Sequence, residues 1–187
     1  MKELVIIAGP NGSGKSTLAT QINMSGSFIS ADKCEKNFLQ HIKDKTIKEQ
    51  QATMMVAREI AEHIRQGLSF SFETVFATAI VPSFIKNARN KGYTVLLHYI
   101  ATENPEINIE RVARRVSEGG HDVPRERILE RYEKTLVILP ELIKFCDKVF
   151  LYDNSEKTLR PFLVKENDEI KVIDEIPGWA KKPLNLF

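Results

Sequence analysis

An α/β domain, with a mostly parallel sheet and helices on both faces, is predicted by three features of the chain. The apolar run Leu4-Val5-Ile6-Ile7-Ala8 leads into a glycine-rich turn and then into a segment that can begin a helix. Tyr93 to Ile100 is a near-continuous apolar strand, as expected where a sheet is covered on both sides. Between these runs, apolar residues recur at helical spacing, so strands and helices alternate along the chain. The length of 187 residues suits one domain and is ample for a real core.

Composition narrows the classes further. The chain is 42% hydrophobic and 28% charged, ordinary for a globular protein, and carries no repeats or low-complexity tract. A net charge of +2 is too weak to argue for nucleic acid or a membrane surface, and neither is expected as a partner. Apolar runs are too short to span a bilayer, and no signal peptide is visible after Met1. Cys34 and Cys146 show no metal or redox spacing, so reduced thiols in a cytoplasmic protein are expected.

The first turn carries the chemistry. Gly9-Pro10-Asn11-Gly12-Ser13-Gly14-Lys15-Ser16-Thr17 has two glycines separated by four residues, the second followed by Lys-Ser. Gly9, Gly12 and Gly14 let successive N–H groups turn inward toward phosphate oxygens. Lys15 adds a mobile cation for the outer phosphates, and the Ser16 hydroxyl is placed to hold Mg²⁺. The helix expected from Ser16 to Ile22 directs its positive end at the same anion. This pattern implies a nucleoside triphosphate.

Ser27 to Ser30 reads as a short buried strand, and Asp32 follows its end, where an open α/β sheet collects binding groups. Asp32 is a candidate general base or magnesium-shell carboxylate; the alternative is an N-cap for the segment from Lys33. Residues 36–50 are polar and lysine-rich, as a solvated connection or flap would be. From Thr46 to about Gln66 a long amphipathic helix is expected. Ile47, Met54, Ala57, Ala61 and Ile64 mark its apolar face, Met54-Met55 pack in the core, and Gly67 caps the end. Leu68 to Phe72 forms a strand, and Glu73-Thr74 follows. Glu73 either holds a substrate hydroxyl or caps the next helix, at about residues 80–90.

His98, inside the 93–100 strand, reads as a core histidine. A helix over Glu106 to Ser117 is interrupted by Gly119 to Pro124 and resumes from Pro124. Its apolar face is Ile128, Tyr132, Leu136 and Leu139, and Pro140 ends or kinks it. Six arginines fall between these limits: Arg111, Arg114, Arg115, Arg125, Arg127 and Arg131. Arg111 with Arg115, and Arg127 with Arg131, share helix faces. The glycine pair supplies the hinge of a mobile cover, and guanidinium groups neutralise charge in phosphoryl transfer. The segment from about 111 to 131 is therefore expected to be an arginine lid. Interleaved Glu110, Glu118, Glu126, Glu130 and Glu133 would make some of these arginines ordinary surface pairs. Lys148 to Asp153 reads as the last parallel strand. Asp153 superficially resembles a magnesium-binding carboxylate of motor ATPases, but Asn154-Ser155 after it favours a turn, with a lining of the base pocket as the alternative. Leu159 to Ile176 looks like a hairpin turning near Glu166-Asn167-Asp168, followed by a polar tail.

With these residues in view, the chain resembles the zeta-toxin family of P-loop kinases up to about residue 155. The resemblance rests on Gly9 to Thr17, on Ser30-Ala31-Asp32, on Phe70-Ser71-Phe72-Glu73-Thr74, and on Arg111 to Pro124 followed by Arg131-Tyr132. It implies a nucleotide-kinase-like P-loop NTPase fold that uses ATP and Mg²⁺. Toxin members phosphorylate UDP-N-acetylglucosamine. Carried onto this chain, Asp32 becomes the base for the acceptor hydroxyl, and Glu73 with Thr74 a substrate or metal-shell pair. Arg111, Arg115 and Arg131 become the lid charges. The chain is shorter than the toxins, and His121 falls where a toxin places a lid arginine. The expectation is one kinase-like domain over 1–187, with hairpin and tail from about 156. It would transfer a γ-phosphate to a small-molecule hydroxyl, of the sugar-nucleotide kind. A nucleotide-dependent ATPase or switch without an acceptor is the alternative. A third reading is a toxin held by a small antitoxin protein.

Overall fold

A computed structural model describes residues 1–76 and 80–185. The order is β1 Lys2–Ala8, α1 Lys15–Ala19, β2 Ser27–Ile29, α2 Ala31–Phe38, α3 Lys45–Gln66, β3 Phe70–Thr74 and α4 Ile80–Asn90. There follow β4 Tyr93–Ala101, α5 Pro105–Ser117, α6 Arg125–Phe145, β5 Lys148–Asp153, β6 Arg160–Glu166, β7 Glu169–Val172 and α7 Gly178–Leu184. One sheet holds all seven strands in the order β2-β3-β1-β4-β5-β6-β7. The first five run parallel, and β6 and β7 continue the sheet as the expected antiparallel hairpin. Because the chain leaves β1 for β2, on the β3 side, and leaves β4 for β5, on the other side, the strand order reverses between β1 and β4. A crevice opens there in sheets of this kind.

Alternation along β1 and β4 divides the core. Leu4, Ile6, Ala8, Val95, Leu97, Tyr99 and Ala101 face a large cluster completed by Ile60 and Ile64 of α3, Ile85 of α4, and Leu139 and Leu142 of α6. Ile7 and Ile100 face a much smaller cluster with Leu18 of α1. Both faces are covered, but unequally. His98 sits on the thin face, stacked on Phe150 at 4.7 Å, with Nδ1 3.0 Å from the Tyr152 hydroxyl. Burial lowers its pKa to about 4, so the ring is a neutral core group, as expected.

Four expectations need correction. The stripe of α3 that packs inward is Ala52, Val56, Ile60 and Ile64, a strict four-residue spacing. Ile47 and Met54 are about half exposed, at 49% and 52%, and Ala61 is exposed; Met55 alone of the methionine pair packs inward. The sequence stripe had mixed two faces. Residues 36–50 are not all connection, since α2 reaches Phe38 and α3 starts at Lys45, capped by Asp44. Pro140 does not end α6, which runs on to Phe145 with the proline inside it, so of the two readings only termination is overturned. The tail is not merely polar: α7 buries Trp179 against Tyr99 and Phe162, and its indole N–H donates to Asp153 at 3.0 Å. The last two residues lie outside the described ones. Among the described residues, no helix is long and apolar enough to cross a membrane.

Candidate active site

The carboxyl ends of the parallel strands open into a cleft of about 1680 Å³. Each wall is placed by local sequence. The loop after β1 enters α1 directly at Lys15, one residue earlier than expected. Ser30 ends the β2 segment and accepts from the Lys33 N–H at 3.2 Å, so Ser30, not Asp32, caps α2. That frees the Asp32 carboxylate in the first turn of α2, lining the cleft. Glu73 belongs to β3, paired in register with Ile7, and is not the cap of α4. Asn104 caps α5 ahead of Pro105, and α5 and α6 share a small core of Val112, Val123 and Ile128.

Lys15 is almost wholly buried, and its Nζ donates to the Pro10 carbonyl at 3.1 Å. The Glu73 carboxylate stands 3.9 Å from Lys15 Nζ and accepts from the Ser16 hydroxyl at 3.2 Å. Burial pulls the Lys15 pKa down; Glu73 and then Asp32 oppose that, while Arg115 and Arg131 add to it. Two arginines a hundred residues away in sequence thus stand close enough to repel Lys15. Arg131 Nη1 donates to Asn11 Oδ1 at 3.1 Å, and burial also lowers its pKa, with Arg127 contributing. Arg111, lowered by burial and then by Arg114, donates to the Glu156 carbonyl at 3.3 Å. Arg115 donates to the His121 carbonyl at 2.6 Å.

Of the residues expected in the site, Asn11, Gly12, Gly14, Lys15, Ser16, Thr17, Asp32, Glu73, Thr74, Arg111, Arg115, His121 and Arg131 line the cleft. Gly9, Pro10 and Ser13 lie behind it, all three buried. The arginines separate into two groups. Arg125 points away into a pair with Glu106 at 2.6 Å, and Arg127 is held by Glu49. Both are paired, but with Glu106 and Glu49 and not with the interleaved glutamates, and Arg127 lines the cleft even so. Asp153 is fully engaged by Trp179, Ser155 and Arg160, a structural role and not a ligand's.

Sequence reasoning missed the α3 residues of the cleft and Asn108; Asn154, read from the sequence as a turn residue or a lining of the base pocket, does line the cleft. Met54 and its neighbours Gln50 and Thr53 line the cleft from α3. Asn108 Nδ2 donates to the Asn11 carbonyl at 2.6 Å, and Asn154 Nδ2 to the Ser13 carbonyl at 2.7 Å. Asn108 belongs to no motif, so only its contacts identify it.

The residues fit a polyanion. Ser13 Oγ, Arg111 Nη1 and Arg115 Nε are buried without a hydrogen-bond partner, and the two guanidinium groups belong to the cleft wall. Buried donors left unmade are costly, and phosphate oxygens are the acceptors that suit guanidinium. For Mg²⁺, Ser16 with Glu73 supplies oxygen ligands. Among the described residues no group of three or more carboxylate, histidine or cysteine side chains forms a metal cage. Magnesium held largely by phosphates and water needs none.

The family model for zeta toxin matches residues 1–160. An uncharacterised protein of Haemophilus influenzae is 27% identical over 128 residues, covering 68% of this chain and 91% of its own. Among solved structures, one from the PezAT chromosomal toxin–antitoxin system of Streptococcus pneumoniae superposes with a TM-score of 0.60. It is 21% identical, covering 82% of this chain and 69% of that one. A protein of Chloroflexus aurantiacus, thought to be a kinase, gives 0.54 at 20% identity, covering 72% and 77%. At such identities these two likenesses speak for the fold.

Proposed function

The chain belongs to the zeta-toxin family of P-loop phosphotransferases, and from that premise we propose that it transfers the γ-phosphoryl group of ATP to the hydroxyl of a small molecule. The observation that carries this reading is the convergence of Lys15, Arg111, Arg115 and Arg131 on one cleft, with Arg111 Nη1 and Arg115 Nε buried and without a hydrogen-bond partner among the described residues. Gly9 to Thr17 would hold the triphosphate, with Lys15 on its outer oxygens. Bound Mg²⁺, at Ser16, would supply charge neutralisation of the phosphates.

Asp32 lines the same cleft as Lys15, which supports its assignment as the base. As base it takes the acceptor's proton while the acceptor oxygen bonds to the γ-phosphorus. The bond to the bridging oxygen breaks, and that oxygen leaves with ADP. Arg115 and Arg131 stabilise the charge that develops on the transferred group. Arg111, which lines the same cleft and donates to the Glu156 carbonyl, would add a third lid charge. Glu73, Thr74 and His121 would line the acceptor's side, and residues 111–131 form the lid of a single domain. The sugar nucleotide that the family resemblance implies is the first acceptor to try.

The test is γ-labelled ATP incubated with the protein and a metabolite pool including UDP-N-acetylglucosamine. Label should appear in a metabolite; label only in free phosphate would favour an ATPase or switch. Asp32→Asn should lower transfer by roughly 10²–10⁴-fold. Transfer at the wild-type rate would eliminate Asp32 as base. Coexpression with a neighbouring small protein that relieves growth arrest would support an antitoxin partner.

A further inference from the structure

We propose that Asn108 and Asn154 are positioning residues for the triphosphate, each holding one carbonyl of the phosphate loop outward so that the loop's N–H groups face the anion. The inference rests on the reading of Gly9 to Thr17 as a phosphate loop. A concave array of N–H donors works only while the intervening carbonyls point away from the ligand. A carbonyl turned into the protein interior in turn requires a donor.

Asn11 and Ser13 flank Gly12, and their carbonyls receive those donors from two unrelated parts of the chain. Asn108, fully buried on α5, gives its Nδ2 to Asn11 O at 2.6 Å. Its Oδ1 faces the Thr102 hydroxyl, which leaves the amide nitrogen to face the loop. Asn154, one residue past β5, gives its Nδ2 to Ser13 O at 2.7 Å while its backbone N–H donates to Ala101 O at 2.9 Å. One grip comes from the α5 side and the other from the sheet.

Both asparagines approach so closely that the loop glycines are required on their outer side too. Gly12 has φ +76°, and a Cβ there would lie 2.5 Å from the Asn108 carbonyl oxygen. Gly14 has φ +104°, and a Cβ would lie 2.5 Å from Asn154 Nδ2. The grip extends to the arginine wall, because the peptide held by Asn108 belongs to Asn11, whose side chain accepts from Arg131.

Asn154 is the better subject, since it is only half-buried. Asn154→Asp keeps the shape but replaces the donor with a carboxylate that repels Ser13 O. Titrations of the whole protein with Mg²⁺·ATP and with inorganic tripolyphosphate should both weaken, by the same factor of roughly tenfold or more. Asn154→Gln, which keeps an amide donor, should recover most of that loss. Asn108→Asp should behave as Asn154→Asp does if it folds. The proposal fails if Asn154→Asp binds both ligands as wild type does, whatever its melting temperature, because Asn154 would then be structural only. It also fails if ATP weakens and tripolyphosphate does not, since Asn154 would then serve the nucleoside. If the wild-type protein binds neither ligand, the phosphate-loop reading itself falls, and this inference with it.

Discussion

The two walls of the cleft are held by different chemistry. The phosphate-loop wall is fixed by buried amide-to-carbonyl bonds from Asn108 and Asn154 and by Arg131 on Asn11. Across from it, α2 and α3 meet the α5–α6 connection through ion pairs near the surface. Lys45 reaches Asp122 at 3.7 Å, His121 stands 4.0 Å from Glu35, and Arg127 pairs with Glu49. Buried neutral hydrogen bonds in a packed site impose one geometry and respond little to salt. Exposed ion pairs are each worth on the order of 0–1 kcal/mol and are screened. The contrast suits a site whose donor half meets one triphosphate and whose acceptor half must admit and release a second molecule.

The largest effect should come from the fixed wall. Lys15→Ala should lower phosphoryl transfer by roughly 10³-fold or more, by analogy with the charges that stabilise such transition states. Because burial disfavours the Lys15 ammonium by more than Glu73 and Asp32 favour it, its removal should not destabilise the fold; a melting temperature equal to or above wild type is expected. A rate loss matched by a collapse in melting temperature would break the comparison, since the wall would then depend on Lys15 for its structure.

That wall was also the more legible one in the sequence. Its turn, lysine and hydroxyl are contiguous from Gly9 to Thr17, so the spacing of residue types states the geometry. The strands were legible for a related reason: β4 is buried on both faces and reads as an apolar run. The opposite wall is assembled from α2, α3 and the α5–α6 connection, and only the folded chain brings these together. Met54 shows the difficulty. It is apolar and sits at helical spacing with Ile64, a true core residue, yet it lines the cleft, because it lies two residues from both Ala52 and Val56 of the inward stripe and so on another face. Asn108 was invisible for another reason: an isolated asparagine carries no periodicity, and its value lies wholly in what it touches. Asn154 could be placed near the site from its position after the last parallel strand, but not its hold on the Ser13 carbonyl. The arginine cluster was half legible. Its excess pointed to an anion, but which members face inward depended on carboxylates elsewhere, Glu106 for Arg125 and Glu49 for Arg127.

A smaller effect sharpens the comparison from the adaptable wall. Lys45 Nζ donates to the Asp122 carbonyl at 2.9 Å besides pairing with its carboxylate, and both side chains are largely exposed. Lys45→Ala should change stability by on the order of 0.5 kcal/mol or less. It should also raise hydrogen exchange across 118–124 while leaving Mg²⁺·ATP affinity within about twofold. High salt should produce the same change in exchange in the wild-type protein. If ATP affinity fell with the pair, the two walls would be one mechanical unit.

The smallest effect is one of pH and falls on Glu35. Burial raises its carboxyl pKa above the ordinary value of 4.5; His121 opposes the shift and Asp32 adds to it. A raised folded-state pKa means that the folded protein binds the proton more tightly than the unfolded chain does. The stabilising contribution is therefore complete below the unfolded pKa and is lost as pH rises through the folded one. The ionised carboxylate is thus disfavoured where it sits, Asp32 and Glu49 adding to the cost of burial and His121 and Lys48 opposing it. Glu35→Gln removes that burden, so its melting temperature should exceed wild type at pH 7. The advantage should shrink to nothing as pH falls below 4.5, where both proteins are neutral at this position. The gain should be modest, because the wall can adjust around Glu35. A gain that persisted at low pH would mean that packing, not charge, governs this side of the cleft, and the contrast between the walls would have to be redrawn.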